Sequence, residues 1–130
     1  MTRNALKIRM NSTKNNKLGL RDKTAEDVVF AHESEREFAR ILDFYRIKWE
    51  YEPRTFTLEW DEDNLPKKSF TPDFYLPDFD LYIELTTLNQ KLVTKKNGKL
   101  KSLRKMYPDI NAKLFYKKDY NSLLFKYLNR

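Results

Sequence analysis

The chain has 130 residues, 40% hydrophobic and 35% charged, with a net charge of +7, no cysteine and one histidine. That length fits one domain with a modest core, and the composition fits a soluble globular chain rather than a disordered one. Disulfides, thiolate metal sites and multi-histidine metal sites are excluded. No apolar run reaches the ~18–20 residues that span a bilayer, and the N-terminus has no continuous apolar signal segment. A cytoplasmic or otherwise intracellular, nucleic-acid-associated location is therefore expected.

Charge is segregated along the chain. Residues 1–23 carry net +6, residues 24–85 net −9 and residues 86–130 net +10. An acidic centre between basic flanks suits a protein that holds cations at one place and a phosphate backbone at another. Lysine-rich helices are also what any solvated surface shows, so the charge gains meaning only beside the acids described below.

Residues 1–23 read as a basic arm, flexible or loosely docked, and residues 24–130 as a single domain. From Thr24 the apolar spacing predicts a helix ending near Tyr45, with Thr24 and Asp27 as its cap. Lys48–Tyr51 and Arg54–Trp60 alternate as strands, the second with Phe56, Leu58 and Trp60 on one face. Residues 61–68 read as a polar turn. Phe70–Leu76 and Leu81–Thr87 form two further strands around a turn at Pro77. Thr94 is expected to cap a second helix running to Met106, with Leu100, Leu103 and Met106 inward. Gly98 weakens that helix by ~1 kcal/mol relative to alanine. Ala112–Tyr116 then reads as a short strand and Tyr120–Leu128 as a final helix.

The segment from Phe70 to Thr86 carries the chemistry. Asp73 follows Pro72 at the start of one apolar run, and Glu84 lies inside the next, eleven positions on. Alternation puts Glu84 on a face with Tyr82 and Thr86, and turns Leu81, Ile83 and Leu85 to the core. An acid in that setting is costly to bury unpaired, and a metal ion resolves the cost. Magnesium takes oxygen ligands and keeps several waters. Asp73, Glu84 and the Leu85 carbonyl are the expected protein ligands, with Mn²⁺ as an alternative ion. Such an ion activates water and stabilises the charge that develops on a phosphate.

Pro72-Asp73…Glu84-x-Thr86 resembles the motif of the PD-(D/E)XK nuclease superfamily, which includes restriction endonucleases, Holliday-junction resolvases and transposon-end nucleases. The likeness extends over about residues 24–128. The stretch from Ser34 to Leu42 looks like the superfamily's first core helix, where Glu35 matches a commonly present glutamate. The resemblance implies an α/β fold with a restriction-endonuclease-like αβββαβ core, a central mixed sheet flanked by helices. It implies a Mg²⁺-dependent endonuclease acting on DNA, with RNA left open, and suggests cutting of junctions or branches. Such enzymes usually act as dimers because two strands must be cut.

The superfamily's lysine belongs two residues after the second acid, where this chain has Thr86. Lys91, Lys95, Lys96 and Lys99 are candidates for a displaced lysine, Lys96 first among them because it can project from the following helix. The resemblance thus gives Glu35, Asp73, Glu84 and Lys96 as catalytic residues. Gln90, Lys91, Lys95, Lys99 and Arg104 are expected to contact nucleic acid, with Lys101 and Lys105 on the same basic helix. The competing reading keeps the fold and loses the catalysis: an inactive nucleic-acid-binding module, which accounts for Thr86 but not for two retained acids. A basic structural protein of a ribonucleoprotein is a third. Glu52 reads either as a site acid or as an edge-strand acid, His32 as a partly exposed helix residue, and Trp49 and Trp60 as core.

Overall fold

The computed structural model describes residues 23–87 and 89–128. The basic arm predicted for residues 1–23 lies outside them but for Lys23. The elements in chain order are α1 (Glu33–Phe44), β1 (Glu50–Tyr51), β2 (Phe56–Trp60), β3 (Pro66–Phe70), β4 (Phe74–Leu76), β5 (Leu81–Thr86), α2 (Gln90–Met106), β6 (Ala112–Tyr116) and α3 (Tyr120–Leu128). Short 3₁₀ turns precede β5 and α3.

Helix α1 forms because Glu35, Phe38, Ala39 and Leu42 fall on one stripe while Glu33 and Glu35 favour the positive end of its dipole. It begins nine residues later than the sequence suggests. Val28, Val29 and Phe30 are consecutive rather than spaced by three or four. Asp27 closes a tight turn instead, accepting from the Thr24 amide and hydroxyl at 3.0 and 3.1 Å. The helix ends in a Schellman arrangement. Arg46 takes φ 58°, its amide donates to the Asp43 carbonyl, and the Ile47 amide donates to Leu42 at 2.9 Å. Ile47 and Leu42 then share the core.

A four-stranded mixed sheet runs in the order β1-β4-β5-β6. β1 pairs antiparallel with β4, and β4 with β5, Phe74 lying opposite Ile83. β5 and β6 are parallel, with Glu84 opposite Leu114. Helix α2 makes the crossover that a parallel pair requires. The hairpin β2–β3 forms its own two-stranded antiparallel sheet.

The expected strand Phe70–Leu76 is therefore two strands in two sheets. Pro72 has no amide hydrogen to offer a ladder, and the chain changes sheets across Thr71, Pro72 and Asp73. The expected turn over residues 61–68 shrinks to residues 61–65, where Asp61 accepts from the Asp63 and Leu65 amides at 2.8 and 3.0 Å. Pro66 opens the edge strand β3, a position where proline costs no ladder bond.

β5 is buried along its whole length. Leu81, Ile83 and Leu85 pack with Phe38, Leu42, Phe74, Phe115 and Tyr120 on the side of α1 and α3. Tyr82 packs on the opposite side with Phe56, Leu58, Phe70, Leu100 and Leu103, under α2 and the hairpin. Trp60 and Met106, expected inside, are each 43% exposed because their elements run past the edge of that second cluster.

Helix α2 starts at Asn89, whose side chain accepts from the Leu92 amide at 3.2 Å, and not at Thr94. Gly98 sits mid-helix with open space around it. Gly98→Ala is expected to stabilise the fold by about 0.5–1 kcal/mol, read as a higher urea midpoint. No helix among the described residues is long and apolar enough to cross a membrane.

Candidate metal and phosphodiester site

The two acids meet where the β4–β5 ladder gives out. Beyond the Phe74–Ile83 pair, carboxylates take over from backbone partners. The Leu85 amide donates to Asp73 Oδ2 at 2.8 Å, and the Asp73 amide donates to Glu84 Oε1 at 3.2 Å. The Asp73 carbonyl accepts from the Glu52 amide at 2.9 Å. Glu52 has φ 46° and an exposed side chain, so it serves this site through its backbone.

Asp73 and Glu84 are both buried, each 8% exposed. Burial pushes the Asp73 carboxyl up to about 6, helped by the charge of Glu35 and opposed by the Leu85 amide and Lys96. Burial, then the charge of Asp73, pushes Glu84 up to about 8 against the pull of Lys96. The site thus holds two carboxyl groups that resist ionising together, a resistance that a nearby positive charge lowers.

Lys96 supplies one positive charge. Val93, Lys96, Leu100 and Leu103 fall on the inward stripe of α2, a lysine within an apolar row. Its ammonium lies 3.5 Å from Glu84 Oε2 and donates to the Leu85 carbonyl oxygen. Thr86, at the position where the resembled motif has lysine, is buried and donates to the Thr87 carbonyl at 3.3 Å.

Glu35 is 5% exposed and faces the same region from α1. The Tyr51 hydroxyl donates to Glu35 Oε1 at 2.5 Å and accepts from the Ala31 amide at 3.1 Å. Tyr51 was not among the expected site residues. Nothing in a sequence marks an acid and a tyrosine sixteen positions apart as partners.

No protein-family model, curated protein or solved structure matches this chain.

A cavity of about 230 Å³ opens beside Leu85, lined among others by Ser34, Glu35, Thr86, Lys96, Lys117 and Tyr120. His32, the residue before α1, is exposed at its wall. Among the described residues, no group of three or more His, Asp or Glu side chains converges as metal donors. The oxygen set here is two carboxylates and one backbone carbonyl, which suits an ion that keeps most of its waters.

The residues expected to touch nucleic acid divide. Lys91 and Lys95 are exposed on α2. Gln90 is exposed and donates to Thr94 Oγ1 at 3.4 Å. Lys99 lies over the Phe70 ring at 5.9 Å, and Arg104 donates to the Ala112 carbonyl at 2.8 Å. Those two long cations brace α2 against the hairpin and β6. Lys117, which sequence reasoning passed over, pairs with Glu37 at 3.1 Å on the cavity wall.

Proposed function

We propose that this protein is a divalent-metal-dependent nuclease that hydrolyses DNA phosphodiester bonds from a restriction-endonuclease-like αβββαβ core. One observation carries the reading: the buried Asp73–Glu84 pair has a lysine delivered to it from the next helix. The element order supports it. α1, the antiparallel strands β1, β4 and β5, the crossover α2 and the parallel strand β6 follow that core's sequence, with the β2–β3 hairpin inserted after β1.

The donor set fits Mg²⁺, or Mn²⁺ in its place: Asp73, Glu84 and the Leu85 carbonyl offer hard oxygens to a small ion. When bound, such an ion supplies Lewis acidity to water and to the phosphate. The chain's own residues do the rest. Asp73 and Glu84 would hold the ion, and their carboxylates are positioned by the Leu85 and Asp73 amides. Lys96 orients the attacking water and offsets phosphate charge. Glu35, kept in place by Tyr51, lines the approach from α1. The water oxygen forms a bond to phosphorus while the bond from phosphorus to the departing sugar oxygen breaks. The water's proton passes to solvent, and the sugar oxygen is protonated in turn.

The DNA backbone would lie along the exposed lysines of α2, in the part of the chain with net +10. Each phosphate contact releases counterions, so binding should weaken steeply with salt. Replacing Lys91 or Lys95 with glutamine is expected to lower the slope of log K against log[salt] by about 1 each, with little change in sequence preference.

A second reading, an inactive nucleic-acid-binding module on the same fold, is favoured by the position of Lys96, which already occupies Glu84 and Leu85. One assay separates the two. The purified protein is incubated with branched, single-stranded and duplex DNA, in Mg²⁺ or Mn²⁺ and in chelator. Metal-dependent cleavage that disappears in Asp73→Asn and Glu84→Gln supports the nuclease. Tight, salt-sensitive binding without cleavage supports the module. Cleavage that both variants retain would sink the site assignment.

A further inference from the structure

We infer that Lys96 is the resident counter-cation of the carboxylate site, and that a divalent ion binds only by displacing its ammonium from Glu84 and Leu85. The inference rests on the metal reading above and adds an exchange to it.

Three oxygen donors were assigned to the ion: a carboxylate oxygen of Asp73, one of Glu84, and the Leu85 carbonyl. Lys96 Nζ is in contact with two of them, Glu84 Oε2 at 3.5 Å and the Leu85 oxygen. Glu84 Oε1 accepts from the Asp73 amide, and Oε2 is the oxygen that faces Lys96. An ammonium and a metal ion cannot share those two atoms. Each oxygen has two lone pairs, but two compact cations held on the same two atoms lie within a few ångströms of each other, and their mutual repulsion is large in a buried setting.

The displaced ammonium has somewhere to go. Lys96 lines the cavity beside Leu85 along with Ser34, Thr86 and Lys117. A rotation of its flexible stem carries the charge off Glu84 into that space, next to Thr86. The superfamily's lysine is expected at that position. In the metal-free protein the lysine therefore offsets part of the charge of the acid pair, chiefly at Glu84. In the loaded protein it is freed to face water and phosphate. One side chain serves both states, which gives a physical reason for a lysine on α2 instead of at position 86.

The test compares Mn²⁺ affinity, by calorimetry, in the wild-type chain, Lys96→Met and Lys96→Gln, with circular dichroism to confirm folding. Removing the competing cation is expected to tighten Mn²⁺ binding by about tenfold or more while DNA cleavage is lost. Equal or weaker binding in both variants overturns the exchange and leaves the metal reading intact. Absence of Mn²⁺ binding in all three proteins overturns the metal reading itself. A wild-type measurement needs no variant. The Lys96 side-chain ammonium resonance, in lysine-labelled protein, should shift on Mg²⁺ addition, and an unmoved resonance at saturating Mg²⁺ would count against displacement.

Discussion

Glu84→Gln and Asp73→Asn are each expected to reduce DNA cleavage by about 10³-fold or more, since an ion's stabilisation of the transition state is worth several kcal/mol. The same substitutions are expected to make the metal-free fold more stable. Both carboxyl groups have folded-state values above their ordinary ones, about 6 for Asp73 and about 8 for Glu84. Groups shifted upward contribute stability below their unfolded values and lose it as pH rises through the folded ones. In chelator, the wild-type chain should lose stability as pH climbs from about 4.5 to about 8. Glu84→Gln removes most of that decline and is expected to be more stable than the wild-type chain at pH 8, because the neutral amide avoids the cost of a buried charge beside Asp73, partly offset by the lost partner of Lys96. Urea melts across this range in chelator check the sign. A variant that loses activity and stability together would mean that Glu84 is a structural acid.

Phe38→Ala carries the second large effect. Phe38 is fully buried, and its ring meets Phe74, Phe115 and Tyr120 at centroid distances of 5.2, 6.0 and 4.7 Å. It thereby joins α1, β4, β6 and α3 at one point. Truncation is expected to cost about 3–5 kcal/mol, the range for a buried aromatic that leaves a cavity. That is a large share of the ~5–15 kcal/mol holding a domain of this kind. The loss also reaches the site, because Phe38 lies one turn from Glu35 and Phe74 directly follows Asp73. Chemical denaturation gives the energy, and a cost below about 1 kcal/mol would show that the aromatic cluster is not the centre of this core.

The parts of the fold that were legible in the sequence are those where periodicity and burial agree. Ala112–Tyr116 and Tyr120–Leu128 lie where the pattern puts them, and β5 ends one residue early. The alternation of Leu81, Ile83 and Leu85 against Tyr82 identified its two faces. What it could not tell was that both faces are covered, because the second cover is built jointly by the β2–β3 hairpin and α2, which alternation within one strand does not reveal. The segment before α1 misled because Val28, Val29 and Phe30 look helical in bulk. Yet Val29 is 91% exposed, and Phe30 packs onto Tyr51 from a loop. β3 was unreadable because Lys67, Lys68 and Ser69 are all exposed, so an edge ribbon there leaves no alternating signature.

The site was legible to a different degree for each residue. Asp73 and Glu84 stand within one short segment, and local pairing of two adjacent strands brings them together. Glu35 and Lys96 carry a subtler mark, an ionisable residue inside an otherwise apolar helical stripe. For Lys96 that mark was blurred by placing the start of α2 five residues late. Tyr51 had no mark at all, since its bond to Glu35 exists only after β1 docks beside β4.

Metal binding at Asp73 and Glu84 can be read by an Mn²⁺ titration of the chelator-treated chain followed by electron paramagnetic resonance. One saturable site per chain is expected, competed by Mg²⁺ and lost in both Asp73→Asn and Glu84→Gln. Failure of the wild-type chain to bind Mn²⁺, or undiminished binding in both variants, would contradict it.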